Sequence, residues 1–108
     1  TTTFNNNSAV DQGGAIANYG TLTLTTSNLT SNNGGGYGGA LVNDNSTTGD
    51  AINQTCVTGN TATNGSAMYS FSATLNAENN WWGSTSGAGS SINANVDANP
   101  YLSSCPNG

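Results

Sequence analysis

The sequence contains no lysine, no arginine and no histidine. Its acidic residues are Asp11, Asp44, Asp50, Glu78 and Asp97, which leave a net charge of −5. Charged residues make up 5% of the chain, against roughly 25% in ordinary soluble domains. Side-chain salt bridges are therefore impossible. Without basic residues there is nothing to neutralise phosphates, which excludes nucleic acid as a partner and argues against docking on anionic membranes. A Ser-His-Asp triad cannot be assembled without histidine. Only two cysteines are present and no imidazole can join them, so no structural metal site and no cofactor is expected. No run approaches the ~20 apolar residues that span a bilayer, so membrane insertion by this chain is not expected. No basic segment followed by an apolar one opens the sequence, so either a leader has been removed or the residues belong to something longer.

What the chain has in their place is Asn, Ser, Thr and Gly, together more than half of it. Such a composition resembles that of disordered segments, but the spacing of the apolar residues is regular. Gly13-Gly14-Ala15-Ile16 recurs 25 residues later as Gly38-Gly39-Ala40-Leu41, and a degraded copy, Gly65-Ser66-Ala67-Met68, follows after 27 more. In step with these run Phe4-Asn5-Asn6-Asn7, Leu29-Thr30-Ser31-Asn32 and Val57-Thr58-Gly59-Asn60. Two different markers thus share one period. Between them, Thr21-Leu22-Thr23-Leu24-Thr25 alternates as a half-buried strand does, with Ala51-Ile52 and Ala73-Thr74-Leu75 as weaker successors. Gly, Asn, Ser and Asp cluster at the corners.

Short strands and a period in the mid-twenties predict an all-β fold, a right-handed parallel β-helix of about four coils. Stacked positions are expected at Phe4/Leu29/Val57, Ile16/Leu41/Met68 and Leu24/Ile52/Leu75, with Ala15, Ala40 and Ala67 fitting beside bulky neighbours. Asn7, Asn32 and Asn60 are expected to form a ladder at one corner. Residues 1–72 read as repeat coils and 73–108 as a closing coil and cap, within a single domain.

The paired Gly-Gly-Ala-Ile/Leu and Phe-x-x-Asn markers resemble the repeats of chlamydial polymorphic outer membrane proteins. They are equally similar to repeats in bacterial surface proteins of the β-helix choice-of-anchor type. Asn79-Asn80-Trp81-Trp82-Gly83, Asn95-Val96-Asp97 and Asn99-Pro100-Tyr101-Leu102 resemble the segment that closes many secreted β-helix domains. The resemblance implies a surface module acting in adhesion or as a scaffold.

Candidate site residues follow from the same reading. Cys56 and Cys105 are expected to form one disulfide in an oxidising, extracellular compartment, closing a loop of 49 residues. Glycosylation sequons stand at Asn6, Asn28, Asn45, Asn53 and Asn64, a number that so much Asn, Ser and Thr produces by chance. Trp81 and Trp82 are adjacent, so in extended chain they point opposite ways: one plugs the last coil and the other faces out. With Tyr37 and Tyr101, they are the candidate contacts for a sugar or a neighbouring subunit. Gly34-Gly35-Gly36-Tyr37-Gly38-Gly39 matches a dinucleotide fingerprint in form only, since no helix follows; it reads as a coil corner carrying an inserted loop. Polysaccharide hydrolysis needs converging carboxylates, and only Asp44 and Asp50 lie close in sequence, in a turn-rich loop. The same loop fails the calcium spacing of an EF-hand. The Thr-x-Thr pairs do not recur at one phase, as an ice-binding face requires. The expectation is therefore a non-enzymatic structural subunit or segment of an extracellular fibre or adhesin, self-associating end to end as a homopolymer. A carbohydrate-binding surface module is the alternative.

Overall fold

The computed structural model describes residues 1–44 and 49–107. Among the described residues, ten short strands run β1 (Thr2–Asn5), β2 (Ile16–Asn18), β3 (Thr23–Thr25), β4 (Ser27–Thr30), β5 (Leu41–Asn43), β6 (Ala51–Asn53), β7 (Cys56–Thr58), β8 (Met68–Ser70), β9 (Leu75–Asn76) and β10 (Val96–Asp97), with one 3₁₀ turn at Gly89–Ser91. They form three parallel sheets, ordered β1-β4-β7, β2-β5-β8 and β3-β6-β9-β10. Every third strand pairs, so the chain winds as a β-solenoid of about four turns. The fourth turn is the least regular: Trp81 bridges to Cys56, Ile92 bridges to Met68, and β10 pairs with β9. Leu75–Asn76 thus belongs to the third coil, and the 72/73 boundary read from the sequence falls inside that coil.

Two of the three predicted apolar columns stand as expected. Phe4, Leu29 and Val57 are in register, as are Ile16, Leu41 and Met68. The third needs correction. Leu24 does face Ile52, but Ala51 lies opposite Asn76, which sets Ala77 and not Leu75 against Ile52. Leu75 instead pairs with Val96 and falls in the column of Leu22 and Asp50. The cause is corner length: pairing Leu75 with Ile52 would set Thr74 opposite Ala51, four residues past Ser70, whereas the residue there is Asn76, six past it. A change of two keeps the inward face and moves the partner by one pleat. The resulting core joins Leu29, Ala40, Leu41, Ile52, Val57, Ala67, Met68, Leu75, Ala77, Val96 and Ala98.

The Gly-Gly-Ala marker has two separate causes. Gly13, Gly38 and Gly65 each hold a positive φ, near 60°, where a Cβ is strained. The second glycine answers to closeness between coils. A Cβ on Gly14 would strike the carbonyl oxygen of Gly39, and one on Gly39 would strike that of Ser66. Ser66 faces only the irregular fourth coil, so the third copy tolerates a side chain there.

Polar residues fill the corners of the interior. At the first, Asn7 donates through its backbone N and Nδ2 to Oδ1 of Asn32 (3.0 and 3.1 Å). Asn32 repeats both bonds to Asn60 (2.9 and 3.0 Å) and also donates to the carbonyl of Phe4. Asn60 in turn donates to the carbonyl of Leu29. This is the expected ladder. A second, not foreseen, runs from Asn18 to Asn43 to Ser70, with Asn93 accepting from the Ser70 backbone N. A third stacks Ser27, Thr55 and Asn80; Asn80 accepts from the Thr55 backbone N and donates to the carbonyls of Ile52 and Ala77.

Asn32 is 1% exposed and engaged through both ends of its amide. Truncating it strands the Phe4 carbonyl and the Asn7 backbone N, and a buried polar group left unpaired costs about 1–3 kcal/mol. Asn32→Ala should therefore lower unfolding stability by about 2–4 kcal/mol, while Asn5→Ala, on the exposed outer face, should stay within about 0.5 kcal/mol. Urea unfolding of the two variants measures the contrast; equal losses would remove the ladder from the account.

Candidate functional surfaces

The acids do not converge on a shared pocket. No cavity or cleft is found among the described residues, nor any group of three metal-binding side chains. Asp11 is exposed and Asp44 half-buried. Asp50 is 4% exposed, and its Oδ1 accepts from the Leu22 backbone N (2.6 Å) and from Asn18 Nδ2 (3.2 Å). Its Oδ2 has no partner among the described residues. Asp50 thus occupies an inward column position, between Leu22 and Leu75, and ties the second ladder to β3. Its bonds are those of a corner staple.

Glu78 and Asp97 form a close carboxylate pair. A side-chain hydrogen bond to Asp97 raises the Glu78 pKa above the ordinary carboxylate range, and repulsion from the Asp97 charge adds to this. A carboxyl raised in the folded state binds its proton more tightly there than in the unfolded chain, so this pair weakens the fold at neutral pH and ceases to do so on acidification.

The disulfide joins Cys56 to Cys105, with Cα atoms 5.4 Å apart. It returns the C-terminal tail to β7, where Asn107 Nδ2 donates to the carbonyls of Ser27 (2.7 Å) and Gln54 (3.0 Å) and so spans two coils. Nothing in the spacing marked Asn107 for this.

The four aromatic candidates separate. Trp82 is the plug: it is 8% exposed and belongs to the core. Trp81 is half-buried and pairs through its backbone with Cys56. Tyr101 is 41% exposed and its ring lies over Gly87. Tyr37 sits at the corner leading to β5, bridged to Gln12 and Asn64; that corner equals the first coil's in length and exceeds the third coil's by one residue, in place of the inserted loop expected there. The length that the second coil gains over the first falls within residues 44–50. Tyr37 joins two rings the sequence did not single out, Tyr69 and Phe71, with centroids 4.8–4.9 Å apart in every pair. Tyr69 follows Ala17 and Val42 in one outward column of the β2-β5-β8 sheet, and Val42 is fully buried although it lies outside the main core.

Among the sequons, Asn6 and Asn64 are exposed; Asn28 and Asn53 are half-buried and hydrogen-bonded to Thr3 and Thr25. Asn45 lies outside the described residues. The Thr-x-Thr pairs do not stack, since Thr23 and Thr25 are followed by Ala51 and Asn53 in the next coil. Comparison with family models, with curated proteins and with solved structures finds no match.

The two ends of the solenoid are unequal. In coil 1, Phe4, Ile16, Leu22 and Leu24 are only half-buried, while their neighbours Leu29, Leu41 and Ile52 are fully buried. At the other end Trp82, Val96 and Ala98 are buried while Ile92 and Ala88 are half-buried, and the tail lies along the last coil, with Asn79 donating to the Pro100 carbonyl and Leu102 to the Asn80 carbonyl.

Two measurements follow. Reducing the disulfide frees a loop of 49 residues and should cost about 4 kcal/mol, read from urea unfolding with and without reductant; an unchanged midpoint would leave Asn107 as the tail's anchor. Glu78→Gln should raise the urea midpoint at neutral pH and shrink the gain the parent shows on mild acidification. A parent that only loses stability on mild acidification would contradict the pair's assigned effect.

Proposed function

We propose that the protein is a structural segment of an extracellular fibre or surface adhesin, built to stack coil upon coil. The observation that carries this reading is the row of half-buried apolar side chains and unpaired strand edges on coil 1, set against an opposite end over which Trp82 and the tail are folded. An uncovered solenoid end exposes both core side chains and strand edges, and proteins cover such edges with further coils or caps. The disulfide is compatible with an oxidising, extracellular setting. The repeat resemblance to bacterial surface β-helix proteins points the same way. The tail folded across the last coil favours a segment within a longer stack over the homopolymer that the sequence suggested, because copies adding head to tail need two receptive ends.

The aromatic trio favours one second reading, a carbohydrate-binding face. Phe71, 37% exposed, offers a ring on which a sugar could stack beside the Tyr69 and Tyr37 hydroxyls. Protease shaving of intact source cells tests the first reading: tryptophan-containing fragments of this chain should be released from the outer surface. Recovery from the cytosol alone would overturn it. A glycan array separates the second. The structural reading expects no saturable binding, whereas a sugar site would show binding that Phe71→Ala removes without unfolding the chain.

A further inference from the structure

Each rung of the first-corner ladder has a direction. The later coil's Asn accepts at Oδ1 from the backbone N and Nδ2 of the preceding coil's Asn, then donates back to a carbonyl of that coil. Asn32 and Asn60 do both. Asn7 makes only the donor half: it donates to Asn32, and its own Oδ1 has no protein partner among the described residues. The same coil carries the half-buried Phe4, Ile16, Leu22 and Leu24, and β1, β2 and β3 each stand at an edge of their sheet. Polar, apolar and backbone complements are all unmet on one side.

We propose that this face is an acceptor for one more coil of the same repeat, laid parallel on β1, β2 and β3 and read by Asn7. The occupant is specified in three ways. It brings an apolar-x-x-Asn unit whose Asn donates to Asn7 Oδ1. It runs parallel, because the rung is directional and a reversed coil would not present a backbone N and an amide together. It carries glycine at the second position of its Gly-x-Ala unit, as Gly14 does beneath Gly39 and Gly39 beneath Ser66. The protein's own last coil fails the first requirement. With Trp81 opposite Cys56, the position matching Asn60 is Thr85, and the tail is already laid along Asn79 and Asn80. A second copy stacked tail to head is thereby disfavoured.

The inference rests on the coil-stacking reading of function but is tested by folding alone, so a wrong cellular location would leave it standing. Coils 1 and 2 are offset by 25 residues, so a copy of Thr1–Thr25 placed directly before Thr1 supplies a coil in register. Thermal unfolding, limited proteolysis and light scattering are compared for the parent and the lengthened chain. The lengthened chain should melt in one transition with a midpoint raised by on the order of 5–10 °C, the added segment being protease-resistant. Asn7→Ala should lower the midpoint more in the lengthened chain than in the parent, since only there is Oδ1 engaged. An unchanged midpoint with a cleavable added segment would overturn the proposal. Equal Asn7→Ala losses in both chains would remove Asn7 from it. A parent that dimerises through Phe4, shown by loss of the dimer in Phe4→Glu, would assign the face to a second copy instead.

Discussion

The structure depends on one constraint: every backbone and corner amide must find its partner about 4.8 Å away, in the next coil. In a chain without a single basic side chain, no ion pair can compensate for a missed partner. Parallel pairing satisfies the strands, and the columns Asn7/Asn32/Asn60, Asn18/Asn43/Ser70 and Ser27/Thr55/Asn80 satisfy the corners. Buried amides that donate to one coil and accept from another make each coil's position conditional on its neighbours. The odd composition and the fold are thus the same fact, for Asn is the residue whose short amide can do both at a tight turn.

That dependence makes the ends decisive. A coil in the middle has its polar and apolar demands met on both sides, and a terminal coil has half of them open. At the C-terminal end Trp82, the tail and the disulfide to Cys105 cover part of the last coil, with Ile92 and Ala88 left half-buried. At the other end, among the described residues, Phe4, Ile16, Leu22 and Leu24 remain half-covered. The two ends thus differ in kind: one is crossed by a folded-back, disulfide-tied tail, and the other leaves three strand edges unpaired among the described residues.

How much was legible in the residues follows from the same geometry. The Phe4 and Ile16 columns and the Asn7 ladder were visible because two markers repeat in step. The second ladder was equally regular, two residues beyond Ile16, Leu41 and Met68, but one more Asn or Ser is inconspicuous in so Asn-rich a chain. Leu75 was misplaced because a corner two residues longer than that pairing needs preserves its inward face and changes its neighbour, which alternation cannot report. The gathering of Tyr37 with Tyr69 and Phe71 could not be read either. Tyr37 lies one coil before Tyr69 and Phe71, and nothing in one dimension says which outward positions converge around a corner.

Composition and period alone settled the class of this protein: an all-β stack without salt bridges, whose core recurs every 25 to 28 residues. Those are properties of a repeat, and a repeat is visible in one dimension. The tertiary structure alone decided which tryptophan plugs the last coil, where the tail is pinned by Asn107, and which end stays open. These depend on how a non-repeating segment folds back across coils, and contacts between residues as far apart as Ser27 and Asn107 leave no periodic trace.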